Sequence, residues 1–316
     1  MLFQATQNSN FMSESKFKEV LFFLPSKVHK KYQKLNNGNL LPMVTFGTSK
    51  IDGFENIHNS IKIALETGYR SFECEPEDNQ EKYLGIALSD LLPKNNLTRS
   101  DIYIIGKVCP KFYGATKVRE ALERTCSNLQ TDYLDLYLMQ WPGGYHMNSD
   151  DEANLKMRRD TWMEMMTLNK KALIKSIGVC NFEIRHLKYF QELNLMPPAV
   201  NQCEFHPRCP QRELLNYCRE NEIMLQAISF ENSFHPLLLN DGTIRIIGRK
   251  INRTPTQVIL RWILNHGVAV IPQSTKPKTI RSNFALYDFV LEKPEMDAVT
   301  LLKFREKYLI NPISIV

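Results

Sequence analysis

Residues 101–108 read DIYIIGKV, and residues 132–142 read DYLDLYLMQWP. Each stretch contains a short and almost wholly apolar run, which is typical of a strand that is buried on both faces. Between the two stretches, Lys117 to Leu129 has the apolar spacing of an amphipathic helix. A buried strand, a helix and a second buried strand predict a βαβ unit with parallel strands.

The same alternation runs through most of the chain. The predicted strands are Met43–Phe46, Ser71–Glu73, Ile102–Lys107, Leu134–Gln140, Ser176–Val179, Ala199–Glu204, Met224–Ile228 and Val268–Ile271. The helical patterns between them include Asn56–Glu66, Lys117–Leu129, Thr161–Asn169, Arg185–Leu193, Gln211–Asn221 and Thr256–Asn265. Eight such units predict an α/β fold, a closed (β/α)8 barrel of the TIM type, in a single domain. The polar stretch from His146 to Arg159 is predicted to be a loop over the barrel mouth.

Charge is concentrated before the barrel. The net charge is +6, and residues 1–35 carry four of these six charges, with six lysines against two glutamates. We therefore predict a basic N-terminal extension at residues 1–34, which could dock a protein partner, and a barrel at residues 35–316. The rest of the chain is close to neutral, which argues against a nucleic-acid-binding surface.

Hydropathy and cysteine content indicate the cellular compartment of the protein. No apolar run reaches the roughly 18 residues that a membrane-spanning helix needs, so we expect no membrane span. The seven cysteines are an odd number without a C-x-x-C pair or a histidine at zinc-ligand spacing. This pattern favours free thiols in a reducing compartment, and hence a cytoplasmic protein without a metal site.

Several motifs resemble the aldo-keto reductase family in order and spacing, from residue 36 to about residue 303. They are NNGNLLPMVTFGT (36–48), ALETGYRSFECEPEDNQEKYLGIAL (64–88), DIYIIGKV (101–108), DYLDLYLMQWP (132–142), SIGVCNF (176–182), AVNQCEFHP (199–207), TPTQVILRWILNHGVAVIPQS (254–274) and NFALYDFVL (283–291). The resemblance implies NADPH-dependent reduction of aldehydes or ketones at the carboxyl ends of the strands.

The family's catalytic site contains four side chains. A tyrosine gives a proton to the carbonyl oxygen, a lysine held by an aspartate lowers the pKa of that tyrosine, and a histidine orients the substrate. On this sequence the resemblance puts Glu73 at the aspartate position and Asp78 at the tyrosine position. It puts Lys107 at the lysine position and Gln140 at the histidine position.

Asp78 is the serious departure. An aspartate beside Lys107 should be ionised, and an ionised carboxylate accepts hydrogen bonds without giving a proton. It would also put negative charge where the alkoxide develops. Either the charged residues fill a vacated site as a salt-bridge cluster, which we favour, or they carry out a different acid–base reaction.

The cofactor positions are partly retained. The resemblance puts six retained contacts to NADP at Thr48, Asn181, Gln202, Ser229, Ser274 and Asn283. Ile228, however, replaces the aromatic residue that stacks on the nicotinamide, and Cys180 replaces a serine. Gln273 and Thr279 replace the lysine and arginine that grip the 2′-phosphate, so we expect NADP binding to be weak or lost.

Two functions follow from these positions. The sequence favours a catalytically silent barrel, a pseudoenzyme that serves as a binding, regulatory or structural subunit. The alternative is an NADP(H)-dependent oxidoreductase that reduces a small carbonyl substrate through an altered catalytic site.

Overall fold

A computed structural model describes residues 31–76, 79–228 and 234–316. Ten strands lie in these ranges: β1 Tyr32–Lys34, β2 Leu40–Pro42, β3 Phe46–Gly47, β4 Ser71–Glu73, β5 Tyr103–Val108, β6 Leu134–Met139, β7 Ile174–Cys180, β8 Val200–Glu204, β9 Met224–Ile228 and β10 Ala269–Val270. The α-helices are α1 Phe54–Thr67, α2 Gln80–Lys94, α3 Ala115–Leu129, α4 Ala153–Lys170, α5 Ile184–Glu192, α6 Arg212–Glu220, α7 Pro236–Leu239, α8 Gly242–Lys250, α9 Pro255–Asn265, α10 Pro277–Phe284 and α11 Lys293–Thr300.

Strands β3 to β10 form one parallel sheet in sequence order. The sheet closes through a parallel bridge between Val44 and Val270, where the Thr45 N–H donates to the Val270 carbonyl at 2.9 Å. The predicted (β/α)8 barrel is therefore confirmed. No helix in the described ranges is long and apolar enough to cross a membrane.

An antiparallel hairpin, β1 and β2, covers the amino-terminal end of the barrel. Side chains of its turn reach the start of β7 and the residues before β8, since Asn39 donates to the Lys175 carbonyl at 2.8 Å and Asn36 to the Pro198 carbonyl at 3.1 Å. The predicted boundary at residue 34 thus falls on the last residue of β1. Residues 1–30 lie outside the described residues, so the division into an extension and a barrel stays a prediction.

Helix α1 buries one apolar stripe. In α1 the buried residues Ile57, Ile61, Ala64 and Leu65 recur at helical spacing. Gly68 ends this helix in the left-handed conformation, at φ 111°, and donates its N–H to the Ala64 carbonyl. The chain then turns directly into β4, which carries a site residue at its end.

The prediction of a loop over His146–Arg159 is wrong from residue 153 onward, because α4 begins at Ala153. Two polar side chains of this helix form hydrogen bonds with the backbone of the loop before it. Buried Arg158 donates two hydrogen bonds to the Pro142 carbonyl, and buried Asn154 accepts from the Gly144 N–H at 2.8 Å. A buried helical face made of polar side chains does not show the apolar period by which a helix is recognised.

Polar side chains fill the middle of the barrel. The hydroxyls of Thr45 and Ser71 are hydrogen bonded at 2.8 Å, and Gln226 donates to Thr45 at 3.3 Å. The Gln202 amide donates to Gln226 at 3.1 Å and also to the Glu73 carboxylate. Since every one of these groups is buried, the network leads continuously from the barrel centre to the carboxyl ends of the strands.

We predict that His186 makes the fold sensitive to acid. Its Nδ1 accepts from the Glu183 N–H at 3.0 Å and its Nε2–H donates to the Ile315 carbonyl at 2.8 Å, which requires a neutral ring. Burial lowers the pKa of His186 to about 4. The unfolded chain, with a histidine pKa of about 6.5, takes up this proton first, so stability is present above pH 6.5 and is lost as the pH falls towards 4.

The His186→Gln variant tests this prediction, because its amide can still accept from Glu183 but does not titrate. Melting temperatures between pH 7 and pH 4 should fall less in the variant, by an amount equivalent to on the order of 2 kcal/mol. His146→Asn, at an exposed histidine, is the matched control. Parallel pH curves for the wild type and His186→Gln would contradict the prediction.

Candidate functional site

The site lies at the carboxyl ends of neighbouring strands. Glu73 ends β4, Lys107 is the penultimate residue of β5, and Gln140 directly follows β6. Asn181 directly follows β7, and Gln202 lies in the middle of β8. Because the strands are parallel and adjacent, these side chains come to one end of the barrel.

A buried ammonium group holds the centre of this site. Lys107 is 3% exposed, and its Nζ lies 3.1 Å from Glu73 Oε1 and 2.6 Å from Glu75 Oε1. Burial alone would lower the pKa of Lys107, but the two carboxylates raise it well above its ordinary value. Lys107 therefore remains an ammonium group at neutral pH.

Glu73 is buried beside Lys107. Burial raises the pKa of its carboxyl, and Glu75 raises it further, whereas Lys107 and the hydrogen bond from Gln202 offset this only in part. Thr48 packs behind it and donates its hydroxyl to the Glu73 carbonyl at 2.9 Å. Glu73 thus links the site to the polar network inside the barrel.

Glu75 is the residue that sequence reasoning missed. Its second oxygen, Oε2, accepts a hydrogen bond from Gln140 Nε2 at 3.1 Å. One carboxylate therefore bridges Lys107 and Gln140. One signal for it was its spacing, since Glu75 lies two residues after Glu73 and side chains of an extended segment at that spacing point to the same side.

Two of the predicted site residues, Asp78 and Ser229, lie outside the described residues. The expectation that Asp78 is ionised beside Lys107 stays a prediction.

Tyr113 is a tyrosine in the segment after β5. Its phenol is hydrogen bonded to the backbone of Trp141, donating to the carbonyl at 2.6 Å and accepting from the N–H at 2.9 Å. Burial raises the pKa of Tyr113. Both features make this phenol a poor proton donor for a ligand.

Two of the groups predicted to face the nicotinamide are Asn181, which directly follows β7, and Gln202, in the neighbouring strand β8. Asn181 adopts a left-handed backbone at φ 62°, and its amide donates to Cys180 Sγ at 3.3 Å. Burial raises the pKa of the Cys180 thiol to about 12, so it stays protonated. The Gln202 amide nitrogen is directed to Glu73 and Gln226. A nicotinamide amide would have to compete with Glu73 for this donor.

A separate cleft contains the positions predicted for the phosphates and the adenosine. The residues that line it include Phe234, Ile271, Gln273, Ser274, Thr279 and Asn283. Ser274 accepts from the Lys276 N–H at 3.1 Å, and Gln273 donates to the Ser49 carbonyl. The buried Oδ1 of Asn283 has no hydrogen-bond partner within the described part of the chain. A hydrogen-bond donor of a ligand would satisfy this oxygen. The cleft therefore fits the adenosine end of a nucleotide.

The last residues of the chain cross the barrel mouth. Glu204, at the end of β8, accepts from the backbone N–H groups of Tyr308 and Leu309 at 2.6 and 3.0 Å. His206 binds the same carboxylate at 2.8 Å, and its ring stacks on the Tyr308 ring. Burial raises the pKa of Glu204, but the hydrogen bonds from His206 and the backbone outweigh it and lower the pKa. An ionised Glu204 thus anchors the C-terminal segment.

Comparison with known proteins agrees with this architecture. The family model described as the aldo/keto reductase family matches residues 44–233 and 235–303. The chain is 35% identical over 283 residues to the glyoxal reductase of Bacillus subtilis, covering 88% of this chain and 95% of that protein. It is 34% identical over 269 residues to the putative methylglyoxal reductase DkgA of Salmonella typhi, covering 85% and 92%.

Solved structures show the same likeness. The aldose reductase of Schistosoma japonicum superposes with a TM-score of 0.80 at 32% identity, over 89% of this chain and 94% of that one. An aldo-keto reductase from a Medee basin deep-sea metagenome library gives a TM-score of 0.78 at 31% identity, over 89% and 97%.

We predict that replacing Lys107 is strongly destabilising. Lys107→Met would leave the Glu73 and Glu75 carboxylates without their cation, and removing one partner of a buried ion pair costs about 3–5 kcal/mol. Urea unfolding would measure this loss. Lys117→Met, at an exposed lysine of α3, is the matched control and should change stability by less than about 0.5 kcal/mol. Equal stability of the two variants would contradict the prediction.

Proposed function

Because the chain belongs to the aldo-keto reductase family, we propose that it is an NADP(H)-dependent oxidoreductase that reduces small aldehydes or ketones through an altered catalytic site. The observation that carries this proposal is the buried Lys107 ammonium at the carboxyl end of β5, hydrogen bonded to Glu73, whose carboxylate also accepts from the Gln202 amide. The relatives named as glyoxal and methylglyoxal reductases support a small carbonyl compound as the substrate.

The described residues fit a nicotinamide dinucleotide in part. Asn181 and Gln202 would hold the amide of the nicotinamide, and Ser274 and Asn283 would hold the phosphate and adenosine groups. The unsatisfied Asn283 oxygen supports this assignment. When bound, the reduced nicotinamide supplies a hydride to the carbonyl carbon.

Lys107 and Gln140 would bind the carbonyl oxygen. The ammonium group stabilises the negative charge that develops on this oxygen, and the Gln140 amide supplies a second hydrogen bond. An alkoxide is a stronger base than a lysine amine, so Lys107 can transfer its proton to it and recover one from water. Its raised pKa makes it a weaker acid than the family's tyrosine, so this step is slow.

A catalytically silent barrel is the second candidate, and Glu75 favours it. Its carboxylate occupies both donors that a carbonyl oxygen would need. In that case the barrel binds a ligand or a protein without transforming it. We predicted that residues 1–34 could dock a protein partner, and residues 1–30 of this extension lie outside the described residues.

We also propose a cytoplasmic location. All seven cysteines fall in the described ranges and are free thiols. Four of them lie in the strands or directly after them, at Cys74, Cys109, Cys180 and Cys203, and these are buried. Free thiols persist in a reducing compartment, which supports this proposal.

We predict that NADPH binds weakly and with little preference over NADH. Gln273 and Thr279 supply no cation to the 2′-phosphate, and the lysines and arginine nearby are exposed and cannot form a fixed fork. Titration calorimetry should give affinities for the two cofactors that agree within about tenfold. Thr279→Arg should increase the preference for NADPH, whereas Thr256→Arg, at another residue that lines the cleft, should not. Submicromolar NADPH binding with strong discrimination against NADH would contradict the prediction.

The proposed activity predicts slow reduction of methylglyoxal and glyoxal by the wild type. Oxidation of NADPH, followed by absorbance, should exceed the rate without enzyme and should be lost in Lys107→Met. Asp78→Tyr combined with Gln140→His restores the family's residues at two sequence positions. The double variant should react faster by about 10²- to 10⁴-fold, the usual contribution of a general acid.

The control for this experiment is cofactor binding, measured for each variant by calorimetry. A wild type that binds NADPH but reduces neither compound would reject the oxidoreductase and support the silent barrel. Retained activity in a folded Lys107→Met variant would show that the acid is another group.

A further inference from the structure

The Glu75 carboxylate accepts hydrogen bonds from two groups that are proposed to bind the substrate. One oxygen of its carboxylate lies 2.6 Å from Lys107 Nζ, and the other lies 3.1 Å from Gln140 Nε2. Each oxygen therefore takes one donor, as the two oxygens of a bound carboxylate would. The protein itself supplies an anionic group to its own ligand-binding donors.

Exposure orders these groups from the mouth inward. The Glu75 side chain is 20% exposed, whereas those of Lys107 and Glu73 are 4% and 6% exposed. A ligand that enters from the mouth thus meets Glu75 before it meets the ammonium group. To reach either donor, the ligand must displace the Glu75 carboxylate or share the donor with it.

We infer that Glu75 determines ligand specificity by acting as an internal competitor, so that the site accepts uncharged carbonyl compounds and rejects compounds that carry a carboxylate next to the carbonyl group. The inference makes one statement about which ligands bind and one about which substrates react. Only the statement about substrates rests on the proposed function, because ligand binding depends on Glu75, Lys107 and Gln140 alone.

Charge gives the physical reason for the selection. One ammonium group, Lys107, faces two carboxyl groups, Glu73 at 3.1 Å and Glu75 at 2.6 Å, so the acidic groups outnumber the cation. A ligand carboxylate would add a third acidic group around this one ammonium group, inside a barrel where charges are poorly screened. A neutral carbonyl oxygen meets no such repulsion, and it can share Lys107 and Gln140 with Glu75, because an ammonium group has three N–H donors and a glutamine amide has two.

Removing the Glu75 carboxylate should reverse the selection. In Glu75→Ala the ammonium group keeps Glu73 as its only carboxylate among these three residues, and both outer donors become available. The variant should then bind small carboxylates between the Lys107 ammonium and the Gln140 amide. Glu75→Gln removes the charge but keeps an oxygen for Lys107, so it should show a smaller gain.

Binding of oxamate, a small carboxylate that cannot be reduced as an aldehyde, tests this by calorimetry on the full chain. We expect Glu75→Ala to bind oxamate at least about tenfold more tightly than the wild type. Glu120→Ala, which removes one exposed carboxylate on α3, is the control for net charge and should bind like the wild type. Adding Gln140→Leu to Glu75→Ala should remove most of the gain without touching the Lys107–Glu73 pair.

Equal oxamate binding by the wild type and a folded Glu75→Ala variant would overturn the inference. A gain that persists unchanged in the Glu75→Ala, Gln140→Leu double variant would also overturn it, because the ligand would then bind elsewhere. Melting curves establish that each variant is folded.

The kinetic part compares methylglyoxal, which is uncharged, with glyoxylate, which carries a carboxylate beside its aldehyde. The ratio of kcat/KM for glyoxylate to that for methylglyoxal should rise at least about tenfold in Glu75→Ala. An unchanged ratio in an active enzyme would overturn the inference while the proposed function stands. Tighter oxamate binding by Glu75→Ala, with no reduction by any variant, would support the inference and reject the oxidoreductase.

Discussion

The buried ammonium group of Lys107 is the constraint on which the rest of the site depends. An ammonium group that is 3% exposed has lost nearly all of its water, and this cost must be offset by charges and hydrogen bonds from the protein. Glu73 and Glu75 supply them from the end of β4 and the residues after it.

The same requirement extends into the barrel. Glu73 is buried too, and it is stabilised by the Gln202 amide, which is in turn bound to Gln226 and, through it, to Thr45. Each buried polar group satisfies the next, so that a change in one of them leaves its neighbour without a partner. The cost of keeping Lys107 charged is thus distributed over strands on opposite sides of the barrel.

Catalysis and binding make different demands on this network. A reductase needs a donor that releases its proton easily, but two carboxylates beside Lys107 hold its proton more tightly. The arrangement therefore favours binding and charge stabilisation over rapid proton transfer. It also gives Glu75 a role that is absent from a site where the lysine has a single carboxylate partner.

Periodicity along the chain was enough to locate the eight strands, most of the helices and the closed barrel, because buried strands and amphipathic helices leave local patterns. The motifs also identified the family and the positions of Glu73, Lys107 and Gln140. Only the tertiary structure decided that Glu75 bridges Lys107 and Gln140, that the Gln202 amide is directed to Glu73, and that Ala153 begins a helix with polar buried residues. These contacts join side chains from different strands and loops, which meet only when the barrel closes and which leave no periodic signal in the sequence.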